Sequence, residues 1–523
     1  MIHYSGLLML RCLVLSFLLL LSACQQKALP DVFRMNIHSE PPTLDPRKAT
    51  DTTSMNVLLH LFEGLMRFDS EDRPAFAGAE SVEISDNECV YTFQLREHLW
   101  SNGDPVTARD YVETWRSLLQ PQSAAPFAYK LFCIEGAEEV RKGAPPERFA
   151  VQAIDRHTLR IRLKHPVPYF LELVSLPTFY PIHTENNREH PLWATDAAPS
   201  YISNGPFTLK KWDHENEIIL EKNPFYWDEK KVHLQAIHLM MVSDVATELY
   251  LFETGALDWA GSPMSTLPIE FLPTLKKEGK LCHHHIGGLD FYKLNCTVPP
   301  LNNAKVRRAL GLAINRADIV THVLQGEQKA AHGLVPGHPS LFDDNPALAR
   351  RLFIDGLREE GFPSPPTLKL SYNTNTQHQK IAQAIQQQWY DTLGLTVELE
   401  NCDWKVYLSQ LALQNFEIAR CGWIAEHHDP ISYLESYVSK DHANNETGWE
   451  NEHYHALITQ SYYEQNPDKR RVMLEDAEKL LIEEMPIIPL CFSAYSFLKK
   501  PYVKDVHLST IGLMDLKEAS VDR

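Results

Sequence analysis

The chain has 523 residues, and its 68 acidic residues against 50 lysines and arginines give a formal net charge of −18 at pH 7. This acidic balance argues against nucleic acid as a partner. The length exceeds what one hydrophobic core usually serves, so the sequence predicts two or three domains.

The first 23 residues have the composition of a signal peptide. They contain no acidic residue, carry Arg11, and include an apolar run over residues 13–21 that is too short to span a bilayer. The run ends in Leu21-Ser-Ala-Cys24, which resembles a bacterial lipoprotein cleavage site with Cys24 as the lipidated N-terminus. More than one acyl chain, at about 0.8 kcal/mol per buried methylene, would hold the protein at a membrane surface. Ordinary secretion with a coincidental cysteine is the alternative.

The remaining cysteines are scattered and form no Cys-x-x-Cys pair, so they show no metal-finger pattern. An odd number in an exported protein leaves at least one thiol free unless it pairs between chains. The sequence assigns no bridge among them: Cys89, Cys133, Cys282, Cys296, Cys402, Cys421 and Cys491.

The N-terminal half reads as strands, turns and short helices. Residues 32–37 predict a first strand, and the alternating apolar positions of residues 91–96 predict another. Thr107 and Asp110 have the spacing of a capping box for the helix that follows. Residues 159–164 alternate apolar and basic side chains, as in a strand with one face in the core.

The C-terminal half reads as a series of α/β units. Residues 368–372 predict a strand, residues 377–393 an amphipathic helix that Gly394 ends, and residues 395–399 the next strand. A strand, helix and strand with short links imply parallel pairing and a right-handed crossover. A late helix is predicted over residues 468–484.

The segment Arg420-Cys-Gly-Trp-Ile-Ala-Glu426-His-His-Asp-Pro430 places a cation, an indole and a carboxylate in a run that otherwise reads as buried. Residues 416–420 predict a strand, so Glu426 falls just past its carboxyl end, where ligands bind in open α/β sheets. A carboxylate in partly dry surroundings can capture an ammonium group such as a peptide's N-terminus. A structural ion-pair network containing Arg420 and Glu426 is the alternative.

This segment resembles OppA-type oligopeptide-binding proteins of bacterial extracellular solute-binding protein family 5, the receptors of ABC peptide importers. In that family a Gly-Trp-x-Ala-Asp run supplies the carboxylate for the ligand's α-amino group. Glu426 stands at the aspartate position here, and its added methylene moves the carboxylate about 1.5 Å along an extended side chain. Other blocks of the family pattern, between Asn36 and about Pro501, are Leu44-Asp-Pro46, Leu61-Phe-Glu-Gly-Leu65, Trp100-Ser-Asn-Gly-Asp-Pro-Val-Thr-Ala108 and Asn204-Gly-Pro-Phe-Thr-Leu209.

The resemblance implies an α/β fold of the periplasmic-binding-protein type II class in its large, three-domain form. Two lobes close over a ligand and an extra domain packs alongside. The implied division is a signal peptide (1–23), domain I (24–62, 183–287 and 494–523), domain II (63–182) and domain III (288–493).

The resemblance also implies roles for individual residues. Arg420 matches an arginine that meets the peptide's terminal carboxylate, a task that suits a planar fork of donors. His378 matches a histidine at the carboxylate end of a longer peptide. Trp404 and Trp423 match tryptophans that line side-chain pockets. A surface histidine and ordinary core packing are the structural alternatives.

Two further positions are weaker candidates. Gly422 is a place where ligand backbone could approach closely, because much of the affinity should come from strand-like main-chain pairing. Asp429 could reinforce a cation site or cap the segment after it.

The implied function is that of an extracytoplasmic substrate-binding lipoprotein of an ABC importer, which captures short oligopeptides by their backbone and termini. It would act as a monomer, without a cofactor, at the periplasmic or extracytoplasmic face of a bacterial membrane, with a permease and its ATPase subunits as partners. A receptor for murein peptides, which carry D-residues and a side-chain amine, is the alternative within the fold, since Glu426 would suit a displaced ammonium.

Two other function classes are weighed against this one. The runs His283-His-His285, His427-His428 and His453-Tyr-His455 raise haem or nickel-complex binding, but no His-x-x-x-His helix with an acidic third ligand is evident. An exported hydrolase could use Glu426, His427 and Asp429 as acid-base groups. The sequence has neither a Gly-x-Ser-x-Gly elbow nor a His-Glu-x-x-His helix, so it does not predict an enzyme.

Overall fold

The computed structural model describes residues 31–123, 125–442 and 444–523. The predicted signal peptide and Cys24 lie outside these residues. The described strands are β1 (Val32–Asn36), β2 (Met66–Phe68), β3 (Pro74–Phe76), β4 (Ala79–Ser85), β5 (Val90–Leu95), β6 (Val151–Ala153), β7 (Thr158–Arg162), β8 (Phe207–Asp213), β9 (Glu217–Lys222), β10 (Ala236–Met240), β11 (Trp259–Gly261), β12 (Cys282–Leu294), β13 (Lys329–Ala330), β14 (Leu368–Asn373), β15 (Val397–Cys402), β16 (Ile418–Ile424), β17 (Ile487–Lys499), β18 (Val503–Lys504), β19 (His507–Leu508), β20 (Met514–Asp515) and β21 (Ser520–Val521).

A 3-10 helix spans Pro126–Cys133. The described α-helices are α1 (Thr52–Leu61), α2 (Ala108–Leu118), α3 (Ala137–Arg141), α4 (Phe170–Leu173), α5 (Thr184–Glu189), α6 (Val245–Glu253), α7 (Leu272–Lys277), α8 (Ala304–Leu312), α9 (Arg316–Asp318), α10 (Pro346–Glu359), α11 (Thr376–Leu393), α12 (Trp404–Ala412), α13 (Ile431–Leu434), α14 (Glu452–Ser461) and α15 (Pro467–Glu484). Within the described ranges, no helix is long and apolar enough to cross a membrane.

One eleven-stranded mixed sheet runs through the molecule in the order β15-β14-β16-β12-β17-β11-β1-β10-β9-β8, with β13 paired to β17. We call strands β1 and β8–β11 the β1 lobe, and strands β14–β16 the β16 lobe. A separate four-stranded sheet, β4-β5-β7-β6, forms the side sheet.

The two lobes share the long antiparallel strands β12 and β17, each of 13 residues. The pairing register of these strands shifts between His285 and Leu289 and again between Asp290 and Phe291. Such irregularities bend and twist a strand locally, so the strands change direction where the two lobes meet. The predicted domain borders at 287/288 and 493/494 fall in these two strands and stay predictions.

The β16 lobe follows the predicted α/β pattern. β14 and β15 pair in parallel across α11, as expected. Gly394, with φ of +66°, ends α11 in the left-handed conformation that glycine accepts without a side-chain clash. The apolar face of α11 is buried, and the Trp389 indole donates to the carbonyl of Leu310 at 2.9 Å.

Other local predictions are confirmed, although strand bounds differ: the strand predicted at residues 395–399 is Val397–Cys402, and the one predicted at residues 416–420 begins at Ile418. Thr107 and Asp110 form the capping box of α2. The strand predicted at residues 416–420 continues to Ile424, because Gly422 and Ile424 pair with Asp290 and Gly288 of β12. Sequence alternation fades there because this part of the strand borders cavities rather than a continuous core.

A buried ion cluster ties the C-terminal segment to the start of the β2 strand. The Arg67 guanidinium donates to Glu63 at 2.9 Å and to the Tyr226 hydroxyl at 3.0 Å, and forms a short ion pair with Asp515. Burial by itself would raise the pKa of Asp515, but the charges of Arg67 and His60 and the hydrogen bonds from Lys517 and Arg67 together lower that pKa to about 2.

We expect Asp515→Asn to lower the free energy of unfolding at pH 7 by about 2–4 kcal/mol, because Arg67 would stay buried with one carboxylate fewer. The folded-state pKa of Asp515 lies below its unfolded value, so this stabilisation is present above about pH 4 and is lost as the pH falls toward about 2. Urea unfolding across that range measures it. Glu518→Gln, at an exposed carboxylate nearby, is the matched control, and equal effects of the two substitutions would contradict the assignment.

Candidate ligand-binding site

β16 and the loop after it carry most of the predicted site residues. Successive side chains of a strand point to opposite faces, so Arg420, Gly422 and Ile424 share one face while Cys421 and Trp423 share the other. The strand lies between two cavities, and Arg420, Gly422 and Trp423 contribute to the lining of both.

The larger cavity, about 440 Å³, lies between the β1 lobe and the β16 lobe. The Arg420 guanidinium is held there by a short ion pair with Asp290, which outweighs burial and raises the pKa of Arg420. His378 at the start of α11 lines the same cavity, and burial, followed by the nearby Arg420 charge, lowers its pKa to about 4. A permanent cation and a neutral imidazole thus face one space, an arrangement suited to a carboxylate.

Gly422 keeps this arrangement open. A Cβ atom there would lie 3.2 Å from Arg420 Nη2 and 3.5 Å from Asp290 Oδ1. A side chain at this position would therefore press on the ion pair and fill the space beside it.

A second cavity of about 210 Å³ lies inside the β16 lobe, and Trp404, Tyr407 and Trp423 supply its aromatic walls. Lys293 and Glu446 form a short ion pair at its lining. The Trp423 indole N–H is buried without a hydrogen-bond partner among the described residues, so it is available to an acceptor in the cavity. The structure places Trp404 and Trp423 at the same cavity, and Trp423 borders both cavities.

Glu426 lies two residues beyond the end of β16, at a smaller cavity of about 130 Å³. Its Oε1 is 2.7 Å from Lys130 Nζ, and the two side chains are only 19% and 5% exposed. Lys130 comes from the 3-10 helix, and its ammonium also lies 4.0 Å from the ring centroid of Phe127. The chain thus supplies an ammonium of its own to the carboxylate that the sequence assigned to a ligand.

The sequence did not reveal Lys130, because it lies far from Glu426 in the chain and no local motif marks it. The alternative that the sequence left open was a single ion-pair network containing both Arg420 and Glu426. The structure does not show such a network. Arg420 pairs with Asp290, and Glu426 pairs with Lys130.

Asp429 takes the capping role that the sequence left open. Its carboxylate accepts two hydrogen bonds from Arg470, at 2.6 and 3.0 Å, and another from the Ile431 backbone N–H at 3.0 Å. A contact with a ligand stays a prediction for this residue.

The two histidines after Glu426 contact other elements. The His427 ring stacks on the Tyr169 ring with 3.9 Å between the ring centroids, and burial lowers the pKa of His427 to about 4. His428 Nδ1 lies 2.7 Å from Glu172, whose carboxylate raises the pKa of His428. Glu426, His427 and Asp429 thus have different partners rather than a shared focus, which does not favour the hydrolase hypothesis.

The cysteines and the other histidine groups are not placed to share a metal ion among the described residues. The seven cysteines from Cys89 onward all have free thiols. In the part of the chain that the structure describes, no group of three or more His, Cys, Asp or Glu side chains is placed to share a metal ion.

Comparison with known proteins adds to this geometry. Residues 74–445 match the family described as bacterial extracellular solute-binding proteins, family 5 middle. The chain belongs to this family. This solute-binding protein is 38% identical to the oligopeptide-binding protein OppA of Bacillus subtilis, over 97% of its own length and 98% of that relative.

Two solved structures show the same fold along nearly the whole solute-binding protein. The murein tripeptide binding protein MppA of Escherichia coli has a TM-score of 0.84 at 28% identity, covering 95% of this chain and 99% of that one. OppA of Haemophilus influenzae in complex with RPPGFSPFR has a TM-score of 0.83 at 28% identity, covering 94% and 99%. The predicted family and the periplasmic-binding-protein fold class are thereby confirmed.

The Lys130–Glu426 pair should be detectable without any ligand. Lys130→Met and Glu426→Gln, made singly and together, should show a coupling of about 1–3 kcal/mol in the free energy of unfolding, because each single variant leaves one largely buried charge unpaired. Chemical denaturation of the four proteins measures it. The exposed pair of Lys142 and Glu138, 2.6 Å apart, is the control and should couple far more weakly. Additive effects at Lys130 and Glu426 would argue against the pair.

Proposed function

We propose that this protein is an extracytoplasmic receptor that captures short oligopeptides and delivers them to the permease of an ABC importer. The observation that carries the proposal is the placement of unlike charges along one stretch of backbone. Arg420 and His378 offer donors at one end, and Glu426 offers a carboxylate at the other. Arg420 and Glu426 are six positions apart in the chain, about 20 Å if extended, which is the reach of a peptide of a few residues.

Backbone pairing supports the same proposal. A peptide lying along an extended segment is held by main-chain hydrogen bonds that do not depend on its side chains, while cavities beside the segment admit alternate side chains. The aromatic cavity bordered by Trp404 and Trp423 suits such a role. Membership of a solute-binding family and the peptide in the related Haemophilus influenzae protein point in the same direction.

A murein-peptide receptor is the second candidate. It is favoured by the likeness to the Escherichia coli murein tripeptide binding protein and by the position of Glu426 on a longer side chain than aspartate. Glu446, beside Lys293 in the aromatic cavity, offers a carboxylate to a side-chain amine.

The remaining parts of the proposal concern anchoring and organisation. Residues 1–23 are removed, Cys24 is lipidated, and the protein acts as a monomer without cofactor or catalytic activity. Domain II (63–182) packs beside a discontinuous domain I (24–62, 183–287 and 494–523), and domain III (288–493) supplies most ligand contacts.

Glu426→Ala should weaken peptide binding by about 2–5 kcal/mol, with the fold retained, because it removes a charge from the ligand end of the site and leaves Lys130 unpaired. Calorimetry with alanine peptides of two to five residues, on protein freed of retained ligand, measures the change. Glu483→Ala on the exposed side of α15 is the control.

Four outcomes separate the hypotheses. Mixed short peptides released from purified protein, with affinity lost in Glu426→Ala, support the oligopeptide receptor. A murein tripeptide that outcompetes a plain tripeptide favours the second candidate. Failure of every peptide to bind would refute both, whereas unchanged affinity in the variant would remove Glu426 from the site.

Replacement of Cys24 by alanine should abolish lipid attachment and move the protein from the detergent phase to the aqueous phase in cloud-point partitioning, because no acyl chain would remain to hold it in a membrane. Cys89→Ala, which leaves the proposed acylation site intact, should partition like the wild-type protein. Equal aqueous partitioning of all three proteins would favour ordinary secretion.

A further inference from the structure

His428, in the loop after β16, contacts three segments that lie outside the β16 lobe. Its backbone N–H and its ring Nδ1 lie 2.9 and 2.7 Å from one carboxylate oxygen of Glu172, in α4. Its ring Nε2 lies 2.8 Å from the hydroxyl of Thr510, between β19 and β20. The third segment is the turn between β2 and β3, where Asp72 Oδ2 lies 4.0 Å from the same Nε2. One side chain thus joins the loop after β16 to elements from separate parts of the sequence.

The hydrogen-bond donors and acceptors around His428 fix its protonation state. The Thr510 hydroxyl and backbone N–H both donate to Asp72 Oδ2 at 2.7 Å, so the hydroxyl proton is already used and its oxygen accepts from His428 Nε2. On the other side, the Glu172 carboxylate is an acceptor only, so Nδ1 is the donor there. An imidazole that donates from both nitrogens is an imidazolium. A neutral ring would leave one of the two contacts without a hydrogen.

The charged groups that face His428 favour this form. The hydrogen bond to Glu172 raises the pKa of His428, burial opposes it, and Asp72 adds to the rise. Burial alone would raise the pKa of Asp72, but hydrogen bonds from His507 and Thr510 outweigh burial and lower it, so Asp72 is ionised. The His428 side chain is 38% exposed and exchanges its proton directly with solvent. The other titratable groups of this region are His284 of β12, which interacts with Asp72, and, in the loop itself, Glu426, His427 and Asp429.

Direct contacts connect the C-terminal segment to the β1 lobe. The backbone N–H of Met514, in β20, donates to the side chain of Asn56, in α1, at 2.7 Å. The last residue of α1, Leu61, accepts at 2.8 Å from the backbone N–H of Gly205, just before β8. The segment that carries Thr510 is therefore fixed to the β1 lobe, whereas His428 follows directly from the β16 lobe.

The contacts of His428 lie beside the register shift of β12. The backbone N–H of Gly287, within that shift, donates to the Thr510 carbonyl at 2.6 Å. The Gly287 carbonyl accepts at 2.8 Å from the backbone N–H of Ala425, the first residue after β16. Because β12 is shared by the two lobes, a change in its bend would move the loop after β16 relative to Thr510. The distances from His428 to its partners therefore depend on the angle between the lobes.

We propose that His428 is a protonation-dependent latch between the lobes. As an imidazolium it ties the loop after β16 to Glu172 and Thr510, and loss of its proton favours an arrangement in which the lobes have moved apart. His428 is a positioning residue in this role, because it acts on the angle between the lobes and not on a ligand. The ring takes one proton from solvent when the latch forms and returns it when the latch opens. The effect on peptide binding rests on the proposed function, in which the ligand binds the closed arrangement better.

The direction of the pH dependence follows from proton linkage. The pKa of His428 is raised in the latched arrangement, whereas a ring parted from both carboxylates returns toward its ordinary pKa of about 6.5. The latch is therefore complete below about pH 6.5 and is lost as the pH rises through the raised pKa of His428. The stabilisation should be modest, because a partly exposed pair contributes less than a buried one.

Hydrogen exchange in the ligand-free, full-length protein tests the latch without any peptide. The backbone N–H of His428 is bonded to Glu172, so its exchange reports whether the contact is formed. After correction for the intrinsic pH dependence of amide exchange, its protection should fall roughly threefold to tenfold between pH 6 and pH 8. In His428→Gln, whose side chain is polar but cannot become charged, protection at this position should be low at both pH values.

Calorimetry with alanine peptides of two to five residues measures the effect on binding. Wild-type protein should bind roughly threefold to tenfold more tightly than His428→Gln at pH 6, and the ratio should approach one at pH 8. Titration of the peptide's own termini is common to both proteins and cancels in this ratio. The matched control is His214→Gln, because His214 pairs with Glu40 within the β1 lobe, and its ratio to wild type should not change with pH.

A second variant keeps the test independent of one substitution. Glu172→Gln removes the carboxylate that His428 contacts and should abolish the same pH dependence of exchange and of affinity. If neither variant folds, hydrogen exchange in wild-type protein still decides.

Three results would overturn the inference. Equal protection of the His428 amide at pH 6 and pH 8 in wild-type protein would mean that the charge of the ring does not hold the loop. A pH dependence that persists in both His428→Gln and Glu172→Gln would place the titrating group elsewhere. An affinity ratio that does not change with pH would show that the contact does not act on lobe closure. Hydrogen exchange needs no ligand, so failure of every peptide to bind would refute the proposed function and leave the latch to be decided by exchange.

Discussion

The pairing of β12 with β17 is the constraint on which the rest of the structure depends. These are the strands through which the main sheet passes from the β1 lobe to the β16 lobe. Their register shifts fall beside Asp290, whose carboxylate holds Arg420. The register shift between the lobes therefore lies at the same point of β12 as the residue that orients the Arg420 side chain.

Charged side chains around the cleft are paired with side chains of opposite charge from the same chain. Arg420 has Asp290, Lys293 has Glu446, Glu426 has Lys130 and Asp429 has Arg470. Such pairs offset the cost of removing charge from water before any ligand arrives. A ligand must consequently join or displace an existing pair, and selectivity depends on how well it does so compared with the chain's own side chains.

Local structure was predictable wherever it depended on neighbouring residues. The α11 helix with its Gly394 terminator, the capping box of Thr107 and the strand entering Glu426 all follow from periodicity and turn chemistry. The predicted strand ended too early at residue 420, since its continuation depends on pairing with β12, which lies more than a hundred positions away. Lys130 was not predicted for the same reason, because its significance comes from its tertiary proximity to Glu426. Asp429 was a weaker candidate with two open roles, and its contacts with Arg470 and Ile431 match the structural one.

The position of Trp423 has a consequence for ligand specificity. The Trp423 side chain lines two cavities, so a ligand group that shifts this ring on one side changes the space on the other. Neighbouring positions of a bound ligand would then contribute to affinity in a non-additive way, as close-packed groups do when they share a wall. Specificity in this protein would be a property of residue pairs, and a preference table compiled one position at a time would misrank its ligands.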